Sequence, residues 1–179
     1  MGIALSIWLG FAIGIVLPLA FFTAEYSIER KAQQRGSFIT LTPFKNRRNR
    51  ATGKIDYFDE DVDFDPRHGH YLKCAEVLIT LASASLVFLA LHSSDLPRSG
   101  ILGTLLGVSM VLLSLAVVYA LLFMALLTYF YEMFLFNPNN FGAFHSSTIF
   151  TLGFSSFACF GLAYISLALV FAQKVSHTG

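Results

Sequence analysis

Hydrophobic residues run along this chain in four long stretches that contain no charged side chain. The stretches cover residues 1–24, 77–94, 99–131 and 133–173. A helix needs about 20 apolar residues, with a range of roughly 17 to 25, to cross the hydrocarbon core of a bilayer. The apolar runs are continuous rather than alternating, which favours helices over the strands of a membrane β-barrel. The pattern predicts an all-α integral membrane protein with four transmembrane helices, at about residues 3–22, 74–92, 101–128 and 147–172.

The end of the third stretch is rich in aromatic residues. Tyr129, Phe130 and Tyr131 lie close together, and aromatic side chains are enriched where a helix leaves the membrane. Residues 127–136 therefore either continue the third helix or lie along the membrane surface. The segment 137–140, Asn-Pro-Asn-Asn, predicts the turn that follows, because proline and asparagine interrupt helices.

Charged residues are few and are concentrated between the first two predicted spans. Only 13% of the residues are charged and 55% are hydrophobic, whereas a soluble domain carries about 25% charged residues. Nine of the 12 Lys and Arg residues lie within residues 24–72. The positive-inside rule then predicts a cytoplasmic loop there, both termini outside, and insertion in the plasma (inner) membrane. An ordinary soluble enzyme and a direct nucleic-acid binder are excluded by this distribution.

Small residues recur at intervals of four along the predicted helices. Such spacing lets two helix backbones approach closely, as in the GxxxG motif, and close packing drives helix association in lipid. The ridges either pack the four helices of one chain together, or they contact a second subunit or line a pore. Of these readings we favour a homo-oligomer. The predicted helix-packing or oligomer-interface residues are Gly10, Gly14, Gly103, Gly107, Thr151, Ser155 and Cys159.

The charged loop at residues 25–72 contains two segments rich in β-forming residues, 37–44 and 54–58. They are compatible with a small β-hairpin that has a basic tip. Basic side chains near a membrane surface attract anionic lipid headgroups. Alternatively, the basic tip binds a partner protein, or the loop only sets the orientation of the helices in the membrane. The tip residues predicted to bind headgroups or a partner are Lys45, Arg47, Arg48 and Arg50.

Three histidines are candidates for a metal site. His68 and His70 precede the second span, and His145 precedes the fourth span on the same side of the membrane. Imidazole is a good zinc ligand, so zinc is the candidate metal, although we favour histidines at the membrane surface without a metal. We predict no catalytic residue and no cofactor, because the spans lack ionisable groups at mid-membrane and the chain has no known nucleophile motif.

Three functions remain after these exclusions. The first is an oligomeric pore, sensor or membrane effector that is coupled to the cytoplasm through the loop. The second is a non-catalytic accessory subunit of a larger membrane complex. The third, and least favoured, is a metal-dependent membrane enzyme. The expected partners are membrane lipids, further copies of this chain and a cytoplasmic protein.

Overall fold

Four long helices make up the computed structural model, which describes residues 2–34, 64–92, 96, 100–136 and 143–178. Within these ranges there is no β-strand, so the described part of the chain is all-α, as the sequence predicts. The hairpin predicted within residues 37–58, with its basic tip, lies outside the described residues. The helices are α1 (Gly2–Gln34), α2 (Phe64–Leu91), α3 (Gly100–Phe136) and α4 (Ala143–Thr178).

Each of the four helices contains a segment that is long and apolar enough to cross a membrane, which confirms the prediction of a multi-pass membrane protein. The outer surface of the bundle agrees with this, because large apolar side chains point away from it; Trp8 and Ile101 are 75% and 80% exposed. Hydrocarbon is the solvent in which such a surface is stable. The segments are Leu5–Ile28, Gly69–Leu91, Gly100–Met133 and Ser147–Gln173.

The helices extend further than the apolar stretches. α2 begins at Phe64, ten residues before the predicted span, and α3 continues to Phe136, so residues 127–136 belong to the helix. Pro66 lies in the first turn of α2, where a residue without an N–H is tolerated because that N–H would have no partner within the helix. Both helices thus extend beyond the segments that are apolar enough to cross a membrane.

The helix α3 is the centre of the bundle, since it packs more extensively than any other helix; α3 and α4 both contact all three other helices. α1 packs on α3 and α4, whereas α2 packs on α3 and only lightly on α4. Among the described residues, no Cα atoms of α1 and α2 come within 8 Å of each other. The last residues of α1 and α3 and the first residues of α2 and α4 lie at one end of the bundle. We call this the loop end.

Close approach of α3 and α4 forms the core. Small side chains lie on both helices at this contact, and a Cβ built on Gly153 of α4 would lie 3.0 Å from the ring of Phe123 on α3. Small residues allow helix backbones to approach without a hydrophobic driving force, which lipid does not provide. The small residues of α3 and α4 with no exposed surface are Ser109, Ala116, Ala120, Ser147, Ser155, Cys159 and Ala163.

Since the backbones of α1 and α2 do not approach each other closely, a groove runs between them along the surface of α3. It encloses about 770 Å³ and its lining is mostly apolar. We call it the lateral groove. Its walls and floor include Ile7 and Phe11 of α1, Leu86 and Leu89 of α2, and Met110 and Ser114 of α3.

Candidate functional site

A proline in the middle of α1 leaves one backbone carbonyl without its helical partner. In an α-helix the N–H of residue i bonds to the carbonyl of residue i−4, but Pro18 has no N–H to offer Gly14. An unsatisfied backbone group in hydrocarbon costs several kcal/mol. The hydroxyl of Tyr119 on α3 donates a hydrogen bond to the Gly14 carbonyl oxygen, at 2.7 Å. Tyr119 thus replaces the hydrogen bond that Pro18 removes.

Glycines hold α1 close enough to α3 for this bond to form. A Cβ built on Gly10 would lie 2.8 Å from the Cβ of Val111, and one on Gly14 would overlap the side chain of Leu115. Four residues earlier along both helices, a Cβ built on Gly107 of α3 would overlap the side chain of Ser6 on α1. The three contacts join residues that are 101 positions apart, so α1 and α3 run parallel with a constant offset. We call this set of contacts the glycine seam.

Three of the four glycines predicted as packing positions therefore contact another helix of the same chain. Gly10 and Gly14 belong to α1, and Gly107 belongs to α3. Gly103 lines the lateral groove, and so does Gly107. Helix packing within one chain accounts for Gly10, Gly14 and Gly107. Contact with a second subunit through the lateral groove remains a proposal.

Thr151, Ser155 and Cys159, the predicted positions on α4, are buried inside the bundle together with Ser147. The side-chain oxygens of Ser147, Thr151 and Ser155 have no hydrogen-bond partner among the described residues. This is unusual for the chain, because nine other Ser and Thr hydroxyls donate to the carbonyl four residues earlier in their helix. We call Ser147, Thr151 and Ser155 the hydroxyl stripe.

An aromatic cluster joins α1, α3 and α4 at the loop end. The ring of His145 lies edge-on to Phe130, with ring centres 4.9 Å apart, and also contacts Phe144. Phe144 in turn meets Phe22 of α1 at 5.9 Å. Nearby along α1, the carboxylate residue Glu25 is 8% exposed. The loop-end half of α1 thereby packs against α4.

The metal prediction concerns His68, His70 and His145. The side chain of His68 lies outside the described residues, His70 is exposed, and His145 is partly buried among aromatic rings. Within the described part of the chain, no group of three or more His, Cys, Asp or Glu side chains is placed to hold a metal ion. The zinc site therefore stays a prediction from the sequence.

Sequence reasoning missed the pairing of Tyr119 with the Gly14 carbonyl. A signal was present, because a proline within a span always leaves the carbonyl four residues earlier in need of a donor. The position of that donor, 105 residues away, depends on the offset between α1 and α3, which the spacing of small residues within one helix does not determine.

The fold and these contacts define the class of protein as a small polytopic membrane protein with a four-helix bundle. Comparison with family models, with curated proteins and with solved structures found no match.

Proposed function

We propose that the protein is an oligomeric membrane sensor or effector, and that its cytoplasmic loop passes a signal to the bundle. The separation of α1 and α2 is the observation that carries this proposal. The loop connects these two helices, and both continue beyond their candidate spans towards it, to Gln34 and from Phe64. An event that changes the shape of the loop acts on two helices whose backbones do not pack closely on each other.

The helix α1 is suited to transmit such a change because Pro18 divides it. Loss of a backbone hydrogen bond makes a proline position the usual site of bending in a helix. Before Pro18, the glycine seam fixes α1 to α3. After it, Phe21 packs edge-on against Phe154 of α4, with ring centres 4.4 Å apart. Movement of the loop-end half would change its contacts with α4 while the seam stays in place.

The lateral groove is where assembly with a second copy fits best. Its α1 wall, Ile7 and Phe11, belongs to the half of α1 that the glycine seam holds in place, so the loop would control the width of the groove by moving α2. Small residues in the groove, Gly103 and Ser114, favour close helix contact. The pore form of the hypothesis has less support, because Thr151 and Ser155 are buried within the bundle of one copy.

An accessory role in a larger complex is the second candidate, and the lateral groove favours it equally. A helix of a different protein would occupy the same surface. Mass measurement of the full chain in lipid nanodiscs separates the two. We expect a mass that is a multiple of one chain; an unrelated polypeptide present in fixed ratio would favour the accessory subunit, and a strictly monomeric chain would contradict both.

Anionic lipid is the input that we propose for the loop, through Lys45, Arg47, Arg48 and Arg50. Each basic residue near an anionic surface contributes about 1 kcal/mol. We expect the distance between α1 and α2 to differ between nanodiscs of phosphatidylglycerol and of phosphatidylcholine. Spin labels at Ile28 and Tyr71, both exposed at the loop end, would measure it by pulsed electron resonance. A Cys74→Ser background is suitable, because Cys74 is exposed and Cys159 is buried.

Two controls sharpen this experiment. Labels at Tyr129 and Phe157, which are exposed on α3 and α4, should report the same distance in both lipids. Replacement of the four basic tip residues by glutamine should abolish the difference at α1 and α2. Equal α1–α2 distances in the two lipids would refute signalling by anionic headgroups through this loop.

A further inference from the structure

The hydroxyl stripe lies on the face of α4 that is turned into the bundle. Ser147 and Ser155 have no exposed surface, and Thr151 is 6% exposed. Their three side-chain oxygens have no hydrogen-bond partner among the described residues. A buried hydroxyl without a partner is destabilising, and buried polar groups in proteins are almost always hydrogen-bonded to protein or to ordered water.

The spacing of the stripe suits water. Residues four apart in a helix are about 6 Å apart along its axis, which is too far for two hydroxyls to bond directly. One water between them, with two bonds of about 2.8 Å each, spans that distance. We propose that the stripe binds a short file of internal water molecules, one between Ser147 and Thr151 and one between Thr151 and Ser155.

The file would be filled from the loop end. Ser147 is the first residue of the candidate span in α4, so the stripe begins at the loop end of that span. Beyond Ser155, the same face continues with Cys159 and Ala163, both fully buried, and neither offers a hydroxyl. The hydrated part therefore ends about midway along α4, and it does not cross the membrane.

Radiolytic hydroxyl-radical labelling in ¹⁸O water tests this proposal, because bound water generates radicals beside the side chains that it touches. The full chain in nanodiscs is irradiated, and residues 147–155 of α4, which the proposed water molecules lie against, are analysed for oxygen uptake. We expect this segment to be labelled although the stripe is buried, and the label to be lost in Thr151→Val combined with Ser155→Ala. Thr151→Ser, which keeps the hydroxyl, should retain the label.

Thr148→Val is the matched control, since the Thr148 hydroxyl already donates to the Phe144 carbonyl at 2.7 Å. It should leave the labelling of residues 147–155 unchanged. Thermal denaturation supplies a second readout that does not depend on radical chemistry. Removal of a hydroxyl that holds water should lower the Tm of Thr151→Val, whereas removal of a dry, unpartnered hydroxyl should raise it. Absence of label from residues 147–155 in the unaltered chain, or a raised Tm, overturns the proposal.

Discussion

Replacement of Gly10 by leucine is expected to separate α1 from α3 and to destabilise the protein by about 3 kcal/mol, at the upper end of the usual range for an overpacked contact. Even the first added carbon would lie 2.8 Å from the Cβ of Val111. That atom is attached to the α3 backbone and cannot swing aside as the end of a flexible side chain does. The backbones must therefore move apart, which also lengthens the hydrogen bond from Tyr119 to Gly14. Reversible unfolding in mixed detergent micelles measures the change.

Gly161→Leu is the matched control, because nothing lies within 4 Å of a Cβ built there. The same change of residue should leave the free energy of unfolding near that of the unaltered protein. Gly10→Ala should cost less in a Val111→Gly background than in the unaltered chain, since glycine removes the Cβ atom that the new methyl group would meet. Full stability of Gly10→Leu would show that α1 does not dock on α3 through this residue.

Removal of the Tyr119 hydroxyl is the second substitution that we expect to destabilise the protein strongly. Tyr119→Phe leaves the Gly14 carbonyl without any donor, because Pro18 cannot supply one. We expect a loss of about 1–3 kcal/mol in the free energy of unfolding, the usual cost of orphaning a buried acceptor. In a Pro18→Ala background the helical N–H is restored, and Tyr119→Phe should cost clearly less. A double-mutant cycle of these two positions measures the difference directly.

Tyr164→Phe serves as the control for this cycle. The Tyr164 hydroxyl pairs with the side-chain oxygen of Ser85 at 2.5 Å, a contact between α4 and α2 in which α1 takes no part. Tyr164→Phe should lower the free energy of unfolding by the same amount with Pro18 and with alanine at position 18. If Tyr119→Phe lowers the free energy of unfolding equally with Pro18 and with alanine at position 18, Tyr119 does not compensate for the proline.

Much of the fold follows from the sequence because the bilayer imposes it. An uncharged run of sufficient length has few alternatives to a spanning helix, so the four spans could be predicted from hydropathy alone. The start of α2 at Phe64 could not, since residues 64–73 are polar and mixed in charge. Outside the lipid, a helix depends on local preferences that are weaker than the requirement to satisfy the backbone in hydrocarbon.

The partners of the small-residue ridges were beyond prediction for a different reason. The spacing of Gly10 and Gly14 shows that some helix approaches α1 closely, but not which helix or at what offset. In the structure that helix is α3 of the same chain, through Val111 and Leu115. Likewise, the four-residue spacing of Thr151 and Ser155 could not show that their hydroxyls would differ from the others in having no protein partner.

The bond from Tyr119 to Gly14 also bears on how the protein is made. The two residues are 105 positions apart, and ribosomes add roughly 5–20 residues per second. During this interval of about 5–20 s, estimated from that rate, α1 has emerged but its free carbonyl has no tyrosine to meet. While its Gly14 carbonyl has no donor, the nascent first helix is more stable beside the water-lined insertion machinery, or beside a membrane chaperone that donates a hydrogen bond, than in lipid. Its release into lipid would then wait for the third helix.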